Sequence, residues 1–193
     1  MARERGRDLS ADRKDDAPPP GDGEPLEGPP RLEPGRPLPP YRYVPGRDPH
    51  PVRHPGGYLH GRESEPPAPG SAEWRVALRY GVDLFNHHDF WAAHETWETL
   101  WHTLPRDTPL AQALQGLIQL AAAMLKHEMS QERPRDTLAS AAARRLLAAQ
   151  DQGCHLVPDL QNFLARCCSF WASSPGAASP LLLLEEPFPP PAS

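Results

Sequence analysis

The chain has 193 residues, a formal net charge of −5 and 27 prolines. This length fits a single domain, and an acidic balance without a basic stripe argues against nucleic acid as a partner. The composition changes at residue 70: residues 1–70 hold 17 of the 27 prolines, whereas all five tryptophans and all five phenylalanines come later. A segment so poor in large apolar groups cannot bury enough surface to offset its chain entropy. Residues 1–37 are therefore predicted to be disordered.

The cysteines and the apolar runs indicate a cellular location. The chain has three cysteines, Cys154, Cys167 and Cys168, and no CxxC pair. An odd number without such a pair disfavours a disulfide framework and fits a reducing compartment. The first residues lack the apolar stretch of a secretory signal. The longest nearly uncharged apolar run, residues 110–125, is too short to span a bilayer. We expect a cytoplasmic protein without a membrane partner.

Residues 38–70, here called the arm, are proline-rich but also contain Tyr41, Tyr43 and Tyr58. Proline restricts such a stretch to extended and polyproline II conformations. Two interpretations stay open. The arm is either a flexible linker or an extended segment that lies over the folded part, with its tyrosines as anchors. At the other end, residues 174–193 are predicted to be a disordered tail, although Leu181 to Leu184 form a short apolar run.

The helical domain is predicted to cover residues 71–173. Ser71, Asp89 and Thr108 stand where N-cap residues are expected, and apolar residues recur after them at helical spacing. The third helix is apolar almost all round, which is typical of a helix at the centre of its bundle. Short connections favour antiparallel neighbours. The prediction is an all-α fold, a compact bundle of about five helices spanning roughly residues 71–85, 90–104, 109–129, 136–152 and 158–172.

The second helix carries polar residues on an apolar face. At about 100° per residue, Trp97 and Trp101 belong to one apolar stripe, and His94 and Glu98 fall within it. Glu95 lies at the edge of that stripe. Because an isolated buried charge is very costly, these residues are expected to have partners or a ligand.

Two glutamines of the third helix are candidates for those partners. Gln115 and Gln119 are four residues apart and share a narrow face with small side chains. If the second and third helices pack antiparallel, the glutamines converge with the polar residues of the second helix. The predicted polar site consists of His94, Glu95, Glu98, Gln115 and Gln119, with Trp97 and Trp101 as pocket lining.

The same residues carry a family resemblance. The second helix contains the pattern HExxExxW, residues 94–101, and the third helix contains the run QGLIQLAAA, residues 115–123. This paired signature resembles the family called domain of unknown function 309, over about residues 75–150. The resemblance implies a small all-helical fold and no established biochemical activity. The matching residues are His94, Glu95, Glu98, Trp101, Gln115, Gly116 and Gln119.

Three functions stay open on these residues, and the sequence does not decide whether the protein is an enzyme. The first is a small-molecule pocket, in which an apolar cleft carries a few convergent polar groups. Another is a purely structural or protein-interaction domain, in which the polar residues form a buried network. Whether the chain forms a homo-oligomer is also left open.

The remaining function is a metal-dependent, hydrolase-like enzyme that uses His94 and Glu98. Their i, i+4 spacing lets two ligands reach one divalent ion, and HETWE resembles the HExxH motif of metalloproteases with glutamate in place of the second histidine. A third ligand must come from elsewhere. The candidates are His102, next along the same helix, and His50 or His54 from the arm.

Overall fold

A computed structural model describes residues 28–62, 65–173 and 177–185. Its helices are α1 (Ala72–Asn86), α2 (Phe90–Trp101), α3 (Pro109–Glu128), α4 (Glu132–Asp151) and α5 (Leu160–Ala172). These three stretches contain no strand, so the predicted all-α bundle of five helices is confirmed.

Three helix ends differ from the prediction. Helix α4 begins before Pro134, because a proline in the first turn forgoes an N–H group that has no helical partner there. Helix α5 begins after Pro158, because Asp159 adopts a left-handed conformation with φ 45°. Helix α2 ends at Trp101, and the next residues form a turn.

Side-chain caps explain where α1 and α3 begin. Ser71 Oγ accepts a hydrogen bond from the Trp74 N–H at 3.1 Å, and Thr108 Oγ1 accepts one from the Ala111 N–H at 3.2 Å. Each bond satisfies an amide that the helix itself leaves unpaired. Asp89 also stands at an N-cap position, that of α2, but its side chain makes no capping bond. The predicted N-cap position of Asp89 is therefore confirmed, without a capping bond from its side chain.

Helix α3 lies between α2 and α4, which confirms its predicted central position. Gly116 packs against the Leu146 side chain, and a Cβ at this position would clash with it. One turn closer to the start of α3, Gln152 Nε2 donates to Gln112 Oε1 at 3.1 Å, so α3 and α4 run antiparallel. No helix in the described part of the chain is long and apolar enough to cross a membrane.

Helices α1 and α2 form a tightly packed antiparallel pair. Trp97 is fully buried, and its indole N–H donates to the Leu78 carbonyl at 3.2 Å. The indole lies directly over Gly81, where any Cβ would overlap with it. At the turn between the helices, the rings of Phe85 and Phe90 meet edge to face at 5.3 Å.

The segment before α1 lies on the helices. Leu32 N–H and Glu33 N–H donate to the Asp83 carboxylate at 2.7 and 2.8 Å, and Val44 is 4% exposed in the core. The predicted disorder of residues 1–37 therefore differs from the structure over residues 28–37, because a buried carboxylate on α1 holds their backbone. Residues 1–27 lie outside the described part of the chain.

The end of the chain also packs onto the bundle. Leu182 is fully buried, and its backbone exchanges two hydrogen bonds with the Asn86 side chain, at 2.8 and 3.0 Å. Glu185 N–H donates to the Leu156 carbonyl at 3.0 Å. The predicted disordered tail thus has a docked section, residues 177–185, since one of its leucines fills the core. Residues 174–176 and 186–193 lie outside the described residues.

Candidate functional site

Three polar side chains meet at one edge of α2. His94, Glu95 and Glu98, here called the His–Glu cluster, each offer one ligand atom, and these atoms lie within 4.8 Å of one another. All three residues are partly buried. They occupy a different face of α2 from Trp97, which points into the core. Helix α2 therefore has a buried apolar face and, beside it, a polar edge that is partly exposed to solvent.

The hydrogen bond of His94 decides what its ring offers to the cluster. His94 Nδ1 lies 3.3 Å from the Ile118 carbonyl of α3, and because a carbonyl only accepts, Nδ1 must carry a proton. In the neutral ring the lone pair is then on Nε2. Nε2 lies 3.6 Å from Glu98 Oε2. Two electron-rich atoms thus face each other unless a proton or a cation lies between them.

Glu95 is the third member of the cluster and sits in the most desolvating surroundings. Burial raises the pKa of its carboxyl, and the Glu98 carboxylate raises it as well, while His94 and Arg53 of the arm lower it. A carboxyl with a raised pKa keeps its proton to a higher pH than an ordinary glutamate does.

The arm covers the side of α2 next to the cluster. The Trp91 ring of α2 meets Tyr43 at 5.3 Å and His50 at 5.5 Å, in both cases edge to face. Of the two alternatives for the arm, the structure places it over the helical core with tyrosines as contacts. The arm therefore forms one wall beside the cluster.

The histidines predicted as third ligands have other partners. His50 Nδ1 accepts from the Val52 N–H at 3.2 Å, and His54 Nδ1 accepts from the Gly56 N–H at 3.0 Å. His102 Nδ1 lies 3.1 Å from Arg106 Nη2. The structure instead brings Glu95 to His94 and Glu98.

The two glutamines do not join the cluster by hydrogen bonds. Gln115 lines a pocket on the α4 side of α3. Gln119 Oε1 is buried, and no described residue donates a hydrogen bond to it. The predicted convergence of both glutamines with His94 and Glu98 stays a prediction.

Neither predicted lining tryptophan borders an open cleft at the cluster. Trp97 is fully buried within the bundle. The ring of Trp101 is covered by Arg106, whose guanidinium carbon lies 3.4 Å from the ring centroid. The aromatic residue that stands beside the cluster is Trp91. Trp91 precedes His94 by three residues and Glu95 by four, so the helical spacing in the sequence already indicated that it lies beside the cluster. Its contact with the arm could not be derived from the sequence.

Two further polar groups near the arm were not identified from the sequence. The Tyr58 hydroxyl is buried, and the described residues give it no hydrogen-bond partner. Burial raises its pKa, as do the Asp89 and Glu95 carboxylates. Asp89 is only 4% exposed, and burial raises its pKa to about 7, with Arg42 opposing the shift and Glu128 adding to it. The arm thus covers polar groups whose hydrogen-bonding capacity is not used.

Comparison with known proteins finds one family match that includes this site. Residues 78–136 match the family model described as Domain of unknown function (DUF309). This range runs from α1 to the start of α4 and contains the whole His–Glu cluster, which confirms the predicted resemblance. The arm lies outside it. No curated protein and no solved structure matches the chain. The match covers less than half of the chain and names no activity, so the function has to be argued from the site.

Proposed function

We propose that the domain binds a divalent metal ion at the His–Glu cluster, as the centre of a hydrolase-like enzyme. The observation that carries the proposal is the position of His94, whose Nδ1–H donates to the Ile118 carbonyl while Nε2 faces Glu98. Histidines that bind metals usually donate their other ring N–H to a carbonyl or carboxylate, which fixes the ring and the tautomer. A cation between Nε2 and Glu98 would also remove the repulsion between the two facing acceptors.

The spacing of the ligand atoms supports this proposal. Nitrogen and oxygen ligands about 2.0–2.2 Å from one ion lie about 3 to 3.5 Å from each other. His94 Nε2 and Glu98 Oε2 are 3.6 Å apart, and the Glu95 carboxylate has an oxygen within 4.8 Å of both. One nitrogen with two carboxylate oxygens suits borderline ions such as Zn²⁺, Mn²⁺ or Fe²⁺.

The chain's own residues divide the remaining tasks. His94 and Glu98 would hold the ion, and the Ile118 carbonyl orients His94. Glu95 would complete the ligand set or accept a proton, because burial raises its pKa. A metal held by three protein ligands supplies an activated water at an open position. The side chains of the arm next to Trp91 would limit which molecules reach that position.

The test is metal analysis of the purified, untagged protein after incubation with Zn²⁺, Mn²⁺, Fe²⁺, Co²⁺, Ni²⁺ or Mg²⁺. We expect close to one ion per chain in the wild type, and loss of that ion in His94→Ala and in Glu98→Gln. His155→Ala is the control, since His155 is exposed in the connection between α4 and α5 and this variant should keep the metal. Binding should also raise the melting temperature of the wild type but not of His94→Ala.

The competing explanation is a structural ion pair, in which a protonated His94 neutralises Glu98. In that case no ion of the panel binds, and nuclear magnetic resonance of the His94 ring shows protonation on both nitrogens at neutral pH. This result would overturn the metal proposal. For the hydrolytic role, metal-loaded wild type should cleave activated aryl esters or phosphoesters, whereas metal-loaded Glu95→Gln should not.

A further inference from the structure

A second polar site lies on the opposite side of α3 from α2's buried face. The connection between α2 and α3, together with α3 and α4, encloses a pocket of about 430 Å³. Its polar lining comes from Arg106, Arg144, Arg145, Gln112 and Gln115, and two alanines of α4 complete it. We call it the arginine pocket. None of its residues belongs to the His–Glu cluster.

The charge of the arginine pocket is opposite to that of the chain. Three guanidinium groups line it, and no aspartate or glutamate does so in the described part of the chain, although the net charge is −5. Within that same part, the side chains of Arg144 and Arg145 make no ion pair and no hydrogen bond. Concentrating uncompensated charge of one sign in a concave site attracts a ligand of the opposite sign.

Arg106 is held in place before any ligand arrives. Its guanidinium stacks on the Trp101 ring at 3.4 Å, and Nη2 lies 3.1 Å from His102 Nδ1. A longer contact of 3.5 Å joins Nη1 to the Trp101 carbonyl. These contacts use only part of the five N–H donors of the guanidinium. The rest are available, and little side-chain entropy remains to be lost on binding.

The glutamine beside the arginines also presents a donor. Gln152 Nε2 donates to Gln112 Oε1 at 3.1 Å, so the carbonyl end of the Gln112 amide is occupied. Its NH₂ group therefore remains for a further acceptor. The pocket thus gathers guanidinium and amide donors from three separate parts of the chain, and this donor set is complementary to a ligand with several anionic oxygens.

We propose that the arginine pocket binds the phosphate group of a phosphomonoester. Planar guanidinium groups pair with phosphate oxygens through two parallel hydrogen bonds, which makes arginine the preferred residue for this group. A volume of about 430 Å³ lies in the range of small-molecule sites and leaves room for an organic substituent. A free phosphate ion and a phospholipid headgroup share this chemistry, so the experiment separates the sources.

The experiment is isothermal titration calorimetry of the full-length chain with phenyl phosphate and with inorganic phosphate. The variant Arg144→Gln/Arg145→Gln is compared with Arg75→Gln/Arg166→Gln, which removes the same charge from exposed positions outside the pocket. We expect phenyl phosphate to bind at least about tenfold more weakly to the first variant and unchanged to the second, because charge-assisted hydrogen bonds are lost only in the first. Arg144→Lys/Arg145→Lys, which keeps the charge without the planar fork, should fall between them.

Two further measurements complete the test. Phosphate also coordinates metal ions, so His94→Ala is titrated as well and is expected to bind phenyl phosphate as the wild type does. Cosedimentation with phosphatidylcholine vesicles containing phosphatidic acid tests the lipid source. We expect no binding there, and tight binding to vesicles with none to phenyl phosphate would overturn the assignment to a soluble phosphomonoester. Equal affinities of Arg144→Gln/Arg145→Gln and Arg75→Gln/Arg166→Gln for phenyl phosphate would overturn the site itself. The absence of any phosphate binding would do so as well.

Discussion

Two buried aspartates, Asp83 on α1 and Asp89 before α2, have opposite surroundings. Asp83 is 1% exposed and accepts hydrogen bonds from the N–H groups of Leu32 and Glu33, with Arg31 Nε at 3.6 Å. Asp89 is 4% exposed, and no described residue donates a hydrogen bond to its carboxylate. Burial alone therefore does not indicate the role of a charged residue; the difference lies in the partners.

The comparison separates a structural contact from a candidate binding surface. At Asp83 the buried charge is satisfied by backbone donors and a guanidinium, so the carboxylate attaches residues 31–33 to the bundle. Near Asp89, the Tyr58 hydroxyl is also buried without a partner, and Glu95 is partly desolvated. These polar groups, which lack hydrogen-bond partners among the described residues, lie under the arm, on the side of α2 that carries the His–Glu cluster.

The largest expected effect is that of Asp83→Ala. The substitution removes the acceptor of two partly buried N–H groups and of Arg31, so we expect the free energy of unfolding to fall by about 2–4 kcal/mol. Urea denaturation measures the loss. The control is Asp136→Ala, because Asp136 also pairs with an arginine but is 62% exposed, and this change should cost less than about 1 kcal/mol. Equal losses for both variants would show that the buried contact at Asp83 is not structural.

A pH-dependent effect is expected for Asp89→Asn. The ordinary pKa of 3.8 applies to the unfolded chain, whereas burial raises the pKa of Asp89 to about 7 in the folded chain. Between these values the folded state retains a proton that the unfolded state has lost, so stability falls as the pH rises from about 4 to about 7. At pH 8 the variant should exceed the wild type by on the order of 2–4 kcal/mol, and at pH 4 the two should agree.

Denaturation curves across this pH range measure the difference between Asp89→Asn and the wild type, which removes the contribution of the other titrating groups. The exposed Asp107 provides the control, since Asp107→Asn should leave the pH profile unchanged. A constant difference between Asp89→Asn and the wild type at all pH values would contradict the assigned surroundings of Asp89.

The smallest effect distinguishes two tyrosines. Tyr58→Phe removes a buried hydroxyl that has no partner among the described residues, so stability should stay the same or rise by less than about 1 kcal/mol. Tyr80→Phe removes a hydroxyl that donates to the Pro37 carbonyl at 2.8 Å, and this change should cost about 0.5–1 kcal/mol. Thermal unfolding at pH 7 compares them. If Tyr58→Phe proves the more harmful, the Tyr58 hydroxyl has a bound partner in solution.

The sequence predicted much of the candidate site and misjudged the segment before the arm and part of the tail. His94, Glu95 and Glu98 could be recognised because a polar i, i+4 pair on an apolar helix is unusual. Residues 28–37 and 177–185 were predicted to be disordered from composition, yet each makes hydrogen bonds with polar side chains of α1, Asp83 in the first case and Asn86 in the second. Such contacts span many residues along the chain, and local composition carries no information about them.

The sequence by itself determined the five helices, since caps, prolines and apolar periodicity are local properties that act within one or two turns. It also determined which side chains of α2 are chemically out of place. Only the tertiary structure decided their partners: the Ile118 carbonyl that orients His94, the arm that covers Trp91, and the meeting of Arg106 with Arg144 and Arg145. These arrangements depend on how α3 packs between its neighbours, and that packing depends on the shape of the whole core.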